Sequence, residues 1–375
     1  MFLQFPKNFY WGTATSAYQV EGGIKNDWSE AGEKYDAGRA CDHYNRFEED
    51  FDLAQSMHNN AHRFSIEWAR IEPEQGKFDQ EEVEHYRKVI LALRERGLEP
   101  FVTLNHYTLP IWFARRDGWL CKENIKYFIR YAEFLVKSLP QVKFWITFNE
   151  PYLYSSFSFF EKRWPPFDKN FFKFLKVLNN LLDAHNRTYQ MIHKNFSGKM
   201  VGMSEFVMFF SGFLSPVKYI RHSYFLNKIK NHQDFFGLDY YLHHSLSEVL
   251  KLSDREKTDM GWEICSEGIY HVLKDLKKYN KPIYITENGL ADAKDEKREK
   301  FIINHLKWTH KAIEEGINVQ GYFHWSLLDN FEWDKGFEPR FGLVKIDYKN
   351  NLKRIPRPSS KIYAEICKNN GINIL

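Results

Sequence analysis

A chain of 375 residues with 43% hydrophobic and 17% aromatic content can bury a large core, and its 53 basic and 49 acidic residues, interspersed along its length, leave a net charge of only +4. That balance excludes the positive groove of a nucleic-acid-binding protein. The lack of any uninterrupted apolar stretch of about 18 residues excludes a membrane-spanning helix.

Cys41, Cys121, Cys265 and Cys367 lie far apart, without the CxxC or His-rich spacing of a metal site, so reduced thiols, no metal and no cofactor are expected. The first residues, Met1-Phe2-Leu3-Gln4-Phe5-Pro6, lack a basic segment followed by an apolar one. No secretory signal is therefore expected, and the cytoplasm is the default location. Length alone admits two or three domains, but no Pro/Gly/Ser-rich linker, low-complexity tract or repeat divides the chain, so residues 1–375 read as one domain.

Strand-like and helix-like segments alternate, the pattern of a parallel sheet covered by helices. Strands are expected near residues 9–13, 61–65, 99–104, 144–149, 200–204, 234–239, 282–287 and 319–325. The clearest helix joins the second and third. Asp79 is its N-cap, with Glu82 in capping-box spacing. Tyr86, Val89, Ile90 and Leu93 form its apolar stripe, and Gly97 supplies the left-handed turn that ends it. Further helices are expected near residues 127–137, 267–279 and 298–315, the last closed by Gly316. The mixed-sign run over residues 292–300 reads as a solvated loop entering that helix. The weakest stretch is residues 203–234, where little chain separates the fifth and sixth strands. Eight strands with intervening helices predict a single (β/α)8 barrel of the TIM type.

Two of the strands end in a glutamate. Phe148-Asn149-Glu150-Pro151 closes the fourth and Thr286-Glu287-Asn288-Gly289 the seventh, each after a β-branched and aromatic run that reads as a strand buried on both faces. A single such Glu is usually a solvated turn residue, so the pairing carries the inference. Residues just past the strands of an α/β barrel sit at its catalytic rim, and hydrolysis of a glycosidic bond needs two carboxyl groups flanking one sugar.

Further segments accompany these two in order: Phe9-Tyr10-Trp11-Gly12-Thr13-Ala14 continuing to Gln19-Val20-Glu21-Gly22, Arg63-Phe64-Ser65-Ile66-Glu67-Trp68, Thr103-Leu104-Asn105-His106-Tyr107, Phe323-His324-Trp325-Ser326 running on to Glu332-Trp333, and Arg340-Phe341-Gly342-Leu343-Val344. With them the chain resembles glycoside hydrolase family 1, the β-glucosidase and β-galactosidase group, almost end to end. The resemblance implies a retaining exo-β-glycosidase that acts on unphosphorylated β-glucosides, β-galactosides or β-fucosides through a covalent glycosyl-enzyme, with transfer to sugar acceptors as an accompanying outcome. It also implies the roles. Glu287 is the nucleophile and Glu150 the general acid and base, while Arg63 and Tyr241 hold Glu287 ionised. Asn149 contacts the sugar 2-hydroxyl. Gln19, His106, Glu332 and Trp333 read the other hydroxyls, Trp325 is the apolar floor, and Phe341 belongs to the substrate site.

Competing readings are a salt bridge under a loop for Arg63, core packing for Tyr241, and a purely structural imidazole for His106. Glu332 and Trp333 stand where members acting on 6-phosphorylated sugars usually carry other residues, and Glu332 would repel a dianion. The alternatives are a 6-phospho-β-glycosidase and a sugar-binding barrel without turnover. The expected partner is a small β-glycoside or oligosaccharide, with neither nucleic acid nor membrane; a homo-oligomer is admitted, and the trimmed loops either open the cleft beyond the first sugar or are filled by a partner subunit. Against the family pattern, Asp239 replaces a common Asn, Tyr107 a frequent Trp and Thr108 a frequent Asp. Several tens of residues are absent between residues 203 and 234 and before Met260, and His324 has no assigned role.

Overall fold

Eight parallel strands close into a barrel in chain order: β1 (Tyr10–Ala14), β2 (Ala61–Ser65), β3 (Glu99–Asn105), β4 (Phe144–Asn149), β5 (Met200–Phe206), β6 (Phe235–Asp239), β7 (Ile283–Asn288) and β8 (Val319–Trp325), with β8 returning to β1. Each lies within two residues of its expected bounds. The computed structural model describes residues 1–214, 222–245, 250 and 253–374. Part of the shortened stretch between β5 and β6, residues 215–221, and part of the connection before Met260, residues 246–249 and 251–252, lie outside the described residues.

Helices α1 (His43–Ser56), α2 (Gln80–Glu95), α3 (Ile125–Ser138), α4 (Phe171–Asn195), α5 (Tyr224–Ile229), α6 (Ser266–Leu276), α7 (Arg298–Glu314) and α8 (Pro358–Asn369) alternate with the strands. β2 and β4 are buried along their whole length, because their outer face meets helices and their inner face meets the rings that fill the barrel. Phe101 and Phe144 stack there with centroids 4.1 Å apart, and Phe323 and Tyr284 close on them edge to face at 4.8 and 5.2 Å from Phe101. This aromatic plug gives the open end of the barrel a solid floor.

Local chemistry sets the helix bounds. The Asp79 carboxylate accepts the N–H groups of Glu81 at 2.9 Å and Glu82 at 3.2 Å, the N-cap expected of it. The reciprocal half of the capping box does not form, since the Glu82 carboxylate instead accepts the Tyr44 hydroxyl at 3.1 Å and faces Arg70 at 3.6 Å. Gly97, at φ 71°, takes the left-handed turn that ends α2. α1, α4, α5 and α8 were not among the expected helices. α8 is tied to the middle of β1 by the Tyr363 hydroxyl, which donates to the Gly12 carbonyl at 2.6 Å.

The charged run over residues 292–300 is a loop entering α7, as expected, with Ala293, Lys294, Glu296, Glu299 and Lys300 exposed, but it is not solvated throughout. Asp292 and Arg298 are buried, the latter with 0% exposure. The Asp292 carboxylate caps α7 by accepting from the N–H of Lys297 and of Arg298 at 2.8 and 3.1 Å. The Arg298 guanidinium pairs with Asp295 and donates to the carbonyls of Asp292 and Arg340, both at 2.9 Å. Among the described residues no helix is long and apolar enough to cross a membrane.

The Asp79 cap predicts that Asp79→Ala lowers the unfolding free energy by about 1 kcal/mol while Asp79→Asn stays near wild type, as read from the midpoints of urea unfolding followed by circular dichroism.

Candidate active site

The site is assembled from strand ends. β2 supplies Arg63, β4 Asn149, β7 Glu287 and β8 Trp325, while His106 and Tyr107 follow β3 and Tyr241 follows β6. Glu150 stands where β4 turns into the short helix Pro151–Phe159, and its backbone is left-handed at φ 41°. That turn aims its carboxyl back across the barrel mouth toward Glu287. One carboxyl oxygen from each of Glu150, Asp239 and Glu287 lies within 4.8 Å of the others. Such spacing matches the roughly 5–5.5 Å of direct displacement and is too tight for the roughly 6.5–9.5 Å that admits a water between the carboxyls.

Glu287 accepts from two donors, one of which also fixes Asn149. Arg63 donates to it through Nη1, Tyr241 donates its hydroxyl at 2.7 Å, and the second arm of the guanidinium donates to Asn149 Oδ1. The buried Arg63 therefore pairs with the glutamate of β7 and not with an acid under a surface loop. Asn149 in turn contacts His106 Nε2 at 3.1 Å. An amide N–H donating to Nε2 puts the imidazole proton on Nδ1, and burial together with the Arg63 charge keeps this ring neutral by pushing its pKa well below the ordinary value.

Glu150 has different company. Burial, then the charges of Glu287 and Asp239, push its pKa well above the usual carboxyl range, and the Tyr107 hydroxyl, which donates to Oε2, partly opposes them. Glu287 is also raised by burial, but Arg63 and Tyr241 pull it back. The proton accordingly resides on Glu150 while Glu287 is ionised. The three carboxyls converge, and Arg63 supplies a positive charge that pairs with Glu287 and stands 3.9 Å from Asp239.

A cavity of about 360 Å³ opens over the two glutamates, walled on one side by His106, Tyr241, Trp325, Glu332, Trp333 and Phe341. His106 stacks on Trp333 with centroids 5.8 Å apart and planes 16° from parallel, giving a flat, rigid face. Arg63, Asn149 and Gln19 are buried beside the cavity, bonded to residues that line it. The Gln19 amide donates to the Phe331 carbonyl at 2.8 Å, to Asn330 at 3.0 Å and to Glu332 at 3.4 Å, and its oxygen accepts from Ser16 at 2.6 Å. It orients Glu332 from the second layer. The Glu332 pKa is pushed up to about 8 by burial and by the charges of Glu287 and Asp334, against the Gln19 contact.

Sequence reasoning assigned no role to Tyr107 or to an apolar wall of Leu153, Phe157, Phe206, Leu242, Met260 and Trp262 that lines the same cavity. The only signal for Tyr107 is that it departs from the family pattern. His324 is fully buried beside Tyr363 at a centroid distance of 5.8 Å and has no hydrogen-bond partner on either ring nitrogen, so it is a packed core residue. Gly289 follows Glu287 by two residues, at a point where a Cβ would stand 1.8 Å from the Trp325 carbonyl oxygen. The ends of β7 and β8 thus meet backbone to backbone.

The sequence model of glycosyl hydrolase family 1 matches residues 1–211 and 223–372. The chain belongs to this family. The hydrolase is 34% identical to β-glucosidase A of Thermotoga maritima over an alignment covering 98% of this chain and 99% of that one. That alignment runs to 447 positions against a chain of 375 residues, so tens of positions in the relative face gaps here. A β-glycosidase from Pyrococcus horikoshii is 38% identical, with a TM-score of 0.93 over 100% of this chain and 97% of that one. A 6-phospho-β-galactosidase of Staphylococcus epidermidis is 30% identical over 99% of this chain and 100% of its own. The chain is therefore a glycoside hydrolase built on a (β/α)8 barrel.

The proton on Glu150 yields a signed prediction. Because the Tyr107 hydroxyl stabilises ionised Glu150, Tyr107→Phe raises the pKa of that acid, and the alkaline limb of kcat/KM moves to higher pH by about one unit. The acid limb, set by Glu287, stays where it is. A full pH–rate profile of the folded variant checks this.

Proposed function

We propose that this hydrolase is a retaining exo-β-glycosidase for unphosphorylated β-glucosides, β-galactosides or β-fucosides, with residues 1–375 acting as one catalytic domain. The observation that supports this best is the asymmetry of the two opposed glutamates. Glu287 carries the guanidinium and the Tyr241 hydroxyl, whereas Glu150 carries a single hydroxyl and faces its partner's charge. Two like groups in unlike surroundings divide into a base and an acid.

In the first step Glu287 attacks the anomeric carbon while Glu150 gives its proton to the departing glycosidic oxygen. The sugar is then an ester of Glu287, whose negative charge is gone. The pKa of Glu150 falls with that charge, so it takes a proton from the incoming water, or from a sugar acceptor, and the ester is cleaved with retention. Asn149, oriented by Arg63, is the amide nearest the 2-hydroxyl, where a contact strengthens as positive charge develops on the ring. His106, Trp325, Glu332 and Trp333 receive the rest of the sugar, with Phe341 at the edge of the site.

Likeness to a 6-phospho-β-galactosidase and to a β-glucosidase is equally broad, so the choice of unphosphorylated substrates rests on the cavity. A phosphate would face the Glu332 carboxyl, whose raised pKa leaves it little charge near neutral pH, and the Asp334 carboxylate; Arg163 at the same cavity already pairs with Asp334 at 3.1 Å, and Lys335 also lines it. The wall from Leu153 to Trp262 favours apolar leaving groups.

Glu287→Ala is expected to abolish turnover, and azide is expected to restore product as the glycosyl azide of inverted configuration, identified by NMR. A folded variant that azide fails to rescue refutes the nucleophile. For Glu150→Gln, aryl glycosides with good leaving groups still form the covalent intermediate, while poor leaving groups lose about 10²–10⁴-fold; equal losses for both classes refute the acid.

A further inference from the structure

The catalytic carboxyls have a third member that the mechanism above leaves unused. Asp239 ends β6 with 0% exposure, and one of its oxygens lies within 4.8 Å of an oxygen of both Glu150 and Glu287. Its Oδ1 accepts the Thr286 hydroxyl at 2.6 Å, and Ser204 donates to that hydroxyl at 2.8 Å, so the carboxyl is fixed by its two neighbouring strands. Arg63 Nη1 stands 3.9 Å away. Oδ2 has no hydrogen-bond partner.

The charged and titratable groups around this cluster come from every strand that faces it. Arg63 comes from β2, Tyr107 from the turn after β3, Glu150 from the end of β4, Glu205 from β5, Tyr241 from the turn after β6, and Glu287 from β7. Arg63 is the single cation among them, and its two arms are committed to Glu287 and Asn149. One guanidinium balances one carboxylate, so Glu150 and Asp239 both hold protons at rest. Their order of loss follows from their neighbours. Asp239 faces the Glu287 charge but has Arg63 and Thr286 to stabilise its anion, whereas Glu150 has Tyr107 alone and meets the carboxyls of Glu287, Asp239 and Glu205.

We propose that Asp239 is a positioning residue for the proton of Glu150: as pH rises Asp239 ionises first, and the negative charge it acquires beside Arg63 keeps Glu150 in its acid form. The proposal rests on Glu150 being the proton donor. Its electrostatics are consistent with that order. The charge of Asp239 is among the causes that raise Glu150, while Arg63 and Thr286 hold Asp239 back against its own burial. The three groups titrate as a coupled set, and the set retains a working acid at a pH where two carboxyls alone would have lost it.

The test is the pH dependence of kcat/KM for wild type, Asp239→Asn and Asp239→Ser, with an aryl β-glycoside whose poor leaving group demands a proton donor. Folding is confirmed by near-ultraviolet circular dichroism, and the serine variant serves should the asparagine variant not fold. In both variants the alkaline limb is expected to fall by about one to two pH units, opposite in sign to Tyr107→Phe, with the acid limb unmoved. An alkaline limb within a few tenths of a unit of wild type, or a loss of rate equal at every pH, overturns the proposal and leaves Asp239 a structural residue. Wild-type protein that turns over no aryl β-glycoside overturns the proposed function and this inference with it, whereas an active enzyme with an unmoved limb overturns this inference alone.

Discussion

The bridge that Arg63 makes between Glu287 and Asn149 governs the whole site. A guanidinium with 1% exposure is tolerated only when its donors are matched, and breaking a buried pair of this kind costs about 3–5 kcal/mol because one charge is left without a partner. Here the donors reach two strands, β4 and β7, that are not neighbours of β2. The same contact that keeps Glu287 anionic therefore ties three parts of the barrel mouth together and sets Asn149 in place before a sugar arrives. Electrostatic stabilisation depends on dipoles and charges oriented in advance, and the rigidity of the strands supplies that orientation.

The differences between the two glutamates grow from this bridge. Glu287 lies within the last residues of β7, where the pairing with both neighbouring strands shifts register, and it takes a direct hydrogen bond from the guanidinium. Glu150 sits one residue past its strand in a left-handed backbone, in no ion pair among the described residues, with an aromatic hydroxyl as its donor. Sequence context alone makes them look interchangeable, since each follows an Asn or precedes one at the end of an apolar run. Their roles come from company acquired in three dimensions. The sugar-binding wall follows the same logic: Glu332 is aimed by Gln19, and His106 is held by Asn149 on one side and Trp333 on the other.

The strands and their ends were legible because burial on both faces leaves continuous apolar runs, which local pattern reading detects. α2 was legible for a similar reason, with its cap, stripe and terminal glycine all inside one short window. α4 carries an apolar stripe of Phe174, Val177, Leu178 and Leu181 at helical spacing, so its absence from the expected helices is an oversight of pattern and not of physics. Other features depend on partners remote in the chain. Arg298 is charged and lies in a charged run, yet its burial rests on the carbonyl of Arg340. Gln19 falls in the matched segment, but contacts with Asn330 and Phe331, more than 300 positions away, hold its amide beside the cavity. Tyr107 and Asp239 register in the sequence only as departures from a pattern, and their meaning appears when their oxygens are found beside Glu150.

Where β7 meets β8, the main chain at Gly289 lies flush against the Trp325 carbonyl. The offset between the attacking oxygen and the indole face is thus set by main-chain contact along this seam, and any side chain at 289 would pry the two apart. No side-chain repacking at that point can tune the offset. Adaptation toward a different sugar or leaving group has to proceed through the rim, and in a chain whose rim is already trimmed, the seam is the fixed datum from which the remaining loops take their reach.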